Sequence, residues 1–434
     1  MNILILGSGG REHALSNRLS LDSRVQKIWV CPGNSGISRH SSPKVSCTLN
    51  EITGNSLLEF CLSHSIKLVV IGPEKYLYAG VVDLLRSQNI LVFGPGLAST
   101  FLECSKRRAK EFMKEFGIPT ADFAVVDRKE SAASFIDSHA SWKKIVIKLS
   151  GPALGKGVFV CDSSSEAKSV IEDLFQDNPQ GIEDGIVIEK GLEGQEISLF
   201  YVCDGSRAVF LASATDHKRL LNSDHGPNTG GMGAYSPALD ITESFLGDVK
   251  KRFVDPTLLG MSKRGAPFSG VLFLGIMMDH DEPYLLEYNI RFGDPETQAF
   301  LPLLKGDFLG LLETASKGDL ESFDTNSLIL ENGFSVHVVK TARGYPGLFG
   351  AKIEREQEIL KHPLSKESDI ISREWIFSGV SELNGKLITS GGRVCGPTVK
   401  GTDLETAVKN AYSVISEYGF QGEHFRTDIG AKRS

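Results

Sequence analysis

The chain has 434 residues, 41% of them hydrophobic and 23% charged; this is globular usage, long enough for more than one core, and it excludes a largely disordered chain. A formal net charge of −7 gives no basic field for a polyanion and argues against a nucleic-acid partner, while small phosphorylated substrates stay open through local lysines and backbone N–H groups. The cysteines Cys31, Cys47, Cys61, Cys104, Cys161, Cys203 and Cys395 include no close pair, so no zinc or disulfide framework is implied. No run approaches the roughly 20 apolar residues of a membrane span, and a cytoplasmic location with no membrane partner is expected.

The opening MNILILGSGG is apolar but breaks at Gly7 without a basic leader, and reads as a buried strand and not as a signal peptide. Further apolar runs at 27–31, 67–71 and 90–93 alternate with helix-length stretches and meet PGN, GPE and GPG turns. This pattern predicts an α/β fold that begins with a doubly wound parallel sheet, in which ligands bind where carboxyl strand ends meet the loops. A helix is expected over 105–116, stopped at Gly117-Ile118-Pro119. The runs IVIKLS (145–150), GVFVC (157–161), IVIEKGL (186–192) and EISLFYV (196–202) lie close together and predict a small antiparallel-rich subdomain. Residues 216–237 read as a polar, glycine-rich loop. Two strands at 270–279 and 283–289 flank a turn, and SVHVVKTA and GRVCGP precede a helix around 407–418.

Gly7-Ser8-Gly9-Gly10-Arg11-Glu12-His13 follows a strand and opens a helix, where backbone N–H groups and the helix dipole can meet a phosphate. As a dinucleotide fingerprint it fails, because Glu12 occupies the third glycine position. Gly151-Pro152-Ala153-Leu154-Gly155-Lys156-Gly157 joins two strands and lacks both the spacing and the terminal hydroxyl of a P-loop; a glycine-rich hairpin with one lysine can instead fold over a triphosphate as a lid, or be a solvated turn. Lys106 and Lys148 are further phosphate candidates. The densest cluster is Glu287-Tyr288-Asn289-Ile290-Arg291-Phe292-Gly293-Asp294-Pro295-Glu296. In a strand, 287, 289 and 291 share a face, and a carboxylate, an amide oxygen and a guanidinium are costly to bury unpartnered. Magnesium accepts such oxygens together with phosphates and water, while arginine grips a carboxylate or phosphoryl group; a structural Glu–Arg pair is the alternative. In the loop, Asp216-His217-Lys218-Arg219 and Gly226 to Ser236 offer glycines for close backbone approach and neutral Asn, Thr and Ser donors.

Taken together, GSGGREHAL, GPE at 72–74, LECSK at 102–106, GKGV at 155–158, DHKR, GPNTGGMGAYSP, EYNIRFGDPETQ and GGRV at 391–394 resemble the phosphoribosylamine-glycine ligase family of ATP-grasp enzymes, in that family's order and across nearly the whole chain. The resemblance implies three parts, an amino-terminal α/β domain (1–102), an ATP-grasp α+β domain (103–328, lid about 120–192) and a small mixed β/α carboxy-terminal domain (329–434). It implies ligation of glycine to 5-phosphoribosylamine with ATP as substrate, magnesium or manganese as cofactor, and a monomer. By resemblance, Lys106, Lys148 and Lys156 would hold phosphates, Glu189, Lys190 and Leu192 would line the adenine pocket, and Glu196 would meet the ribose. Glu287 and Asn289 would ligate the metal. Arg291, Asp294 and Asp216 would be catalytic, with Asn228, Thr229, Gly230 and Gly231 positioning glycine and its acyl phosphate. Gly9, Gly10, Arg11, Glu12, Asn34 and Glu74 would form the phosphoribosylamine side. The chain departs from the family at Ser150, Pro152, Lys190-Gly191 and Lys75-Tyr76, positions that bear on adenine contacts and the lid.

Three other classes compete. A different ATP-grasp ligase would use bicarbonate or formate in place of glycine. A non-catalytic nucleotide-binding protein would leave the Glu-x-Asn-x-Arg strand without a purpose, and an NAD-dependent dehydrogenase is opposed by Glu12.

Overall fold

Five short apolar strands, β1 (Asn2–Gly7), β2 (Lys27–Pro32), β3 (Val45–Cys47), β4 (Ile66–Ile71) and β5 (Leu91–Phe93), form a sheet in the order β3-β2-β1-β4-β5 with every pairing parallel. The computed structural model describes residues 1–151, 157–177, 182, 184–239, 241–348, 351–364 and 372–431. Strand order reverses between β1 and β4, so the turns after these two strands open a crevice at their carboxyl ends. Ile3, Leu4, Ile5, Leu6, Leu68, Val69 and Val70 are fully buried, which explains why both strands read as continuous apolar runs and not as alternating ones. Only β3, three residues long with Ser46 at its centre, escaped the sequence pattern.

The second unit is a four-stranded antiparallel sheet of β6 (Phe123–Val126), β7 (Ile145–Leu149), β8 (Val158–Cys161) and β9 (Ile186–Lys190), ordered β6-β9-β7-β8. The helices Lys129–Ser138 and Ser164–Asp177 share its core through Ala132, Ile136, Ala167 and Ile171. The run EISLFYV, expected in this subdomain, belongs elsewhere. Gly191 closes β9 by donating its N–H to Lys144 O at 2.9 Å, and Gly194, at φ +155°, starts β10 (Gly194–Asp204). That strand pairs along its whole length with an equally long apolar partner, β15 (Ser269–Asp279), which outcompetes the short strands of the four-stranded sheet.

The third unit is a nine-stranded sheet. Its members in the middle of the chain are β10, β11 (Ala208–Asp216), β14 (Gly233–Ser236), β15 (Ser269–Asp279) and β16 (Glu282–Asn289), and a separate hairpin of β12 (Arg219–Leu221) and β13 (His225–Asn228) lies between β11 and β14. The stretch read as a loop over 216–237 is therefore largely ordered as strand, hidden by its glycines and short pairings. Through β14 the sheet continues to the strands Phe334–Val338 and Arg393–Gly401, and Arg373–Phe377 pairs with the last of these. The helix Lys106–Glu115 is capped by Ser105, whose Oγ accepts the Arg108 N–H at 3.1 Å. Among the described residues no helix is long and apolar enough to cross a membrane.

His13, in the helix Gly10–Ser20, ties the first sheet to the last. It is fully buried, its Nδ1 accepts the Phe377 N–H at 2.9 Å, and its ring stacks on Phe377, which also stacks on His40 at 4.4 Å. Burial, helped by nearby His40, holds His13 down at about 3. An unfolded histidine takes its proton near about pH 6.5, so between that value and about 3 the unfolded chain binds one more proton. Stability should therefore fall on acidification below pH 6.5, by up to about 1.4 kcal/mol per pH unit from this residue. Urea midpoints across that range in the native chain and in His13→Gln check it: the variant should show the shallower slope, and equal slopes would contradict the assignment.

Candidate active site

Most of the site's charge sits at the end of β16. The β15–β16 register slips between Gly275 and Ile276, and beyond this bulge Glu287 and Asn289 share a face while Tyr288 turns inward, its hydroxyl 2.7 Å from Thr257 Oγ1. The strand ends at Asn289, so Arg291 is not on the strand face as the alternation implied. It returns to it by a different route, with Nη2 donating to Asn289 Oδ1 at 3.3 Å.

Three lysines from three elements surround Glu287. Lys218, following β11, lies 3.7 Å from Glu287 Oε1 and is paired with Glu196; Lys148, next to last in β7, donates to Leu286 O at 3.4 Å and pairs with Glu189; Lys106 opens its helix. Burial opposes ionisation of Glu287, but Lys218, Lys148, Lys106 and Arg291 together bring its carboxyl down to about 2. Burial lowers Lys106, partly offset by Glu287. Glu189 is buried between Lys148 and Lys110, whose Nζ is 2.5 Å away, and burial draws Lys110 down to about 8 despite that pairing. Lys190 is exposed and Leu192 half-buried on the strand connection that follows. Lys156 and Pro152 lie outside the described residues, while Ser150 accepts the Arg107 N–H at 3.0 Å and donates to Asp184.

Arg291 is held by two carboxylates, Glu74 at 2.9 Å and Glu103 at 3.1 Å. Glu74 opens the helix after β4, so this ion pair joins the first sheet's crevice to β16. Burial raises Glu103, against the pull of Arg291. Glu12 and Asn34 have internal partners. Glu12 Oε2 accepts the Gly9 N–H and Oε1 the Arg11 Nε–H, both at 2.6 Å, and Arg11 Nη1 donates to Phe292 O at 2.7 Å. A Cβ on Gly72 would lie 2.0 Å from Glu12 Oε1, which shows how tightly that carboxylate fills the space between the two turns. Asn34 caps the helix Ser35–His40 through the Ile37 N–H and donates to Ser8 O and Phe377 O. Gly9 faces Asp294, and Gly10 packs under Gln298. Lys75 pairs with Glu51 at the surface and Tyr76 is buried.

The glycine-rich segment is held from the carboxy-terminal side. Arg393 Nη1 donates to Gly230 O at 2.5 Å and Asp294 O at 2.7 Å, and is 3.3 Å from Asp294 Oδ1; Tyr345 accepts the Gly230 N–H at 2.9 Å. Gln298 donates to Asp294 Oδ1 at 2.6 Å, and although burial resists it, Arg393 and Arg11 keep Asp294 low. Thr229 Oγ1 donates to Lys218 O and accepts the Gly231 N–H, while Asn228 pairs with Arg219 in the hairpin. Burial and neighbouring Glu296 raise Asp216. Sequence reasoning missed Tyr345 and Lys110; Glu103 and Arg393 were visible only as parts of LECSK and GGRV.

The oxygens of Glu287 and Asn289, one of them a carboxylate that resists protonation, are hard donors that fit magnesium sharing its shell with phosphates. The four-stranded antiparallel sheet, the large sheet and a strand end ringed by lysines define an ATP-grasp enzyme. The family model of the phosphoribosylglycinamide synthetase ATP-grasp (A) domain matches residues 104–297, that of the N domain residues 1–103, and that of the C domain residues 335–432. The chain belongs to the phosphoribosylglycinamide synthetase family. It is 37% identical to the phosphoribosylamine–glycine ligase of Caldanaerobacter subterraneus subsp. tengcongensis over 99% of this chain and 100% of that protein. It is 40% identical to the trifunctional purine biosynthetic protein adenosine-3 of Homo sapiens over 99% of this chain, which spans 41% of that longer protein. The crystal structure of phosphoribosylamine–glycine ligase from Thermotoga maritima superposes with a TM-score of 0.82 at 33% identity, covering 99% of this chain and 100% of that one.

Gly231 sits at φ +105°, where an added Cβ would lie 2.3 Å from Pro295 Cδ and 2.8 Å from Asp216 Oδ1. Gly231→Ala should therefore cost about 2 kcal/mol of stability through strain and overlap. The urea midpoint reads it; an unchanged midpoint would show that the segment yields freely.

Proposed function

We propose that this chain joins glycine to 5-phosphoribosylamine while ATP is converted to ADP and phosphate, with glycyl phosphate as intermediate. The observation that carries the reading is the meeting of Glu287, Asn289 and Arg291 with Lys106, Lys148 and Lys218 at one strand end, in a chain that matches a ligase of that name over its full length.

A carboxylate oxygen is a poor leaving group, and phosphorylation makes it a good one. Lys106, Lys148 and Lys218, together with Lys156, would neutralise the triphosphate, and Glu287 and Asn289 would hold magnesium, which supplies charge neutralisation of the phosphate oxygens when bound. Arg291 presents a planar fork to the transferring group once it exchanges a carboxylate partner for it. Glycine would lie between Asp294, Asp216 and the backbone of Asn228, Thr229, Gly230 and Gly231, where Arg393 and Tyr345 hold that backbone in place. Phosphoribosylamine would enter from Gly9, Gly10, Arg11 and Glu74. Glu12 and Asn34 serve this side by shaping the turns, since their side-chain atoms are occupied by protein partners. Glu189, Lys190, Leu192 and Glu196 border the nucleotide, with the Glu189 carboxylate serving Lys148. The parts at 1–102, 103–328 and 329–434 would supply the amine, nucleotide and clamping sides in turn.

Because each side supplies one reactant and an acyl phosphate must be shielded from water, ADP release should require both glycine and freshly generated phosphoribosylamine. Bicarbonate or formate in place of glycine should leave only background. Equal ADP release without the amine, or with either other carboxylate, would overturn the reading.

Glu287→Gln removes the metal-site charge and leaves the shape. It should raise the magnesium concentration needed for half-maximal rate by about ten-fold or more and lower the rate, with an unchanged urea midpoint separating this from misfolding. A wild-type magnesium titration would make Glu287 a structural partner of Lys218.

A further inference from the structure

Lys110 is a buried cation for which the phosphate side of the site has no direct use. It follows Lys106 by one helical turn, and only 2% of it is exposed. Its Nζ lies 2.5 Å from Glu189 Oε2 and donates to Thr120 Oγ1 at 2.5 Å. The Thr120 hydroxyl in turn donates to Leu285 O at 2.6 Å, which anchors the lysine end on β16, and the Phe123 ring lies 5.8 Å from the same Nζ. Glu189, itself 2% exposed, uses its other oxygen for Lys148. Two cations therefore share one carboxylate.

The sharing matters when Lys148 is recruited elsewhere. A buried carboxylate that loses its only counter-charge is strongly destabilised, so a Glu189–Lys148 pair standing alone would hold the lysine back from an incoming phosphate. Lys110, fixed by Thr120 on its far side, keeps Glu189 neutralised whichever way Lys148 turns. We propose that Lys110 is a positioning residue for the nucleotide: it carries the charge of Glu189, and so frees Lys148 to exchange that carboxylate for a phosphate oxygen. This rests on the reading that Lys148 meets the phosphates of ATP.

Lys110→Met keeps the length of the stem and removes the charge. Titration of the full-length chain with MgATP by calorimetry should show the dissociation constant raised about ten-fold or more, because the carboxylate is stranded as Lys148 leaves. The double variant Lys110→Met/Glu189→Gln also removes the stranded charge and should return the constant to within roughly three-fold of the native chain. Damaged packing would not give that recovery, since the double variant alters more of the core. A native constant in the single variant, or a double variant as weak as the single, overturns the proposal. Should Lys110→Met fail to fold, Thr120→Val removes only the anchoring hydroxyl and should weaken MgATP by roughly three-fold; no change there overturns it equally. Absence of MgATP binding by the native chain would defeat the underlying reading of Lys148, and the two failures are thereby distinguished.

Discussion

A hydrophobic sheet strand that ends in a carboxylate and an amide, with a guanidinium two residues beyond, has to find partners for all three, and in this molecule the partners come from several parts of the chain. Glu287 draws Lys106 from a helix, Lys148 from the four-stranded sheet and Lys218 from the segment after β11. Arg291 draws Glu74 from the crevice of the first sheet and Glu103 from the connection to the nucleotide side. Each charge taken from water is acceptable because another charge meets it, so the architecture converges on this strand end. The arrangement is rich in cations that already have carboxylate partners, which suits a site that must admit a polyphosphate: an incoming anion exchanges partners and does not have to assemble them.

The lysine–glutamate pairs also account for the placement of the rest. Lys218 is set by Glu196 on β10, and the backbone beside it is bonded to Thr229, which orders Gly231. From the opposite side Arg393 and Tyr345 bind Gly230, and Arg393 also binds Asp294. The glycine-rich segment around Gly230 is thus held at both edges and is not a free loop.

Much of this was legible in the residues. Continuous apolar runs gave four of the five parallel strands, because strands buried on both sides carry no alternation to confuse. The Glu-x-Asn-x-Arg spacing placed Glu287 and Asn289 on one face of a strand, because positions i and i+2 share a face in any extended segment. Arg291 fell outside the strand, since the bulge and the bend after Asn289 are decided by tertiary partners. EISLFYV was assigned to the wrong sheet for a related reason: its composition fits either sheet, and only pairing with the long strand β15 decides between them. The strand β14, Gly-Ala-Tyr-Ser just after Gly230-Gly231-Met232, carries one strand-favouring residue, Tyr235, and is too short and glycine-rich to be read from propensity. Glu12 and Asn34 read as belonging to the phosphoribosylamine side, yet a sequence cannot say whether a polar side chain faces a ligand or fastens its own loop; here Glu12 bonds to Gly9 and Arg11, and Asn34 to Ser8, Ile37 and Phe377. Lys110 and Tyr345 lie in ordinary helical or loop sequence, and their importance arises from long-range contacts that no local motif encodes.

The central claim is that this convergence of charge activates a carboxylate by phosphorylation, and the fate of the oxygen atoms tests it most directly. Glycine labelled with oxygen-18 in both carboxylate positions, supplied with ATP, magnesium and phosphoribosylamine, should give inorganic phosphate carrying one labelled oxygen per turnover and an amide that retains the other. Phosphate without label would contradict the account, because the displaced oxygen would then have left by a route that never joined it to phosphorus.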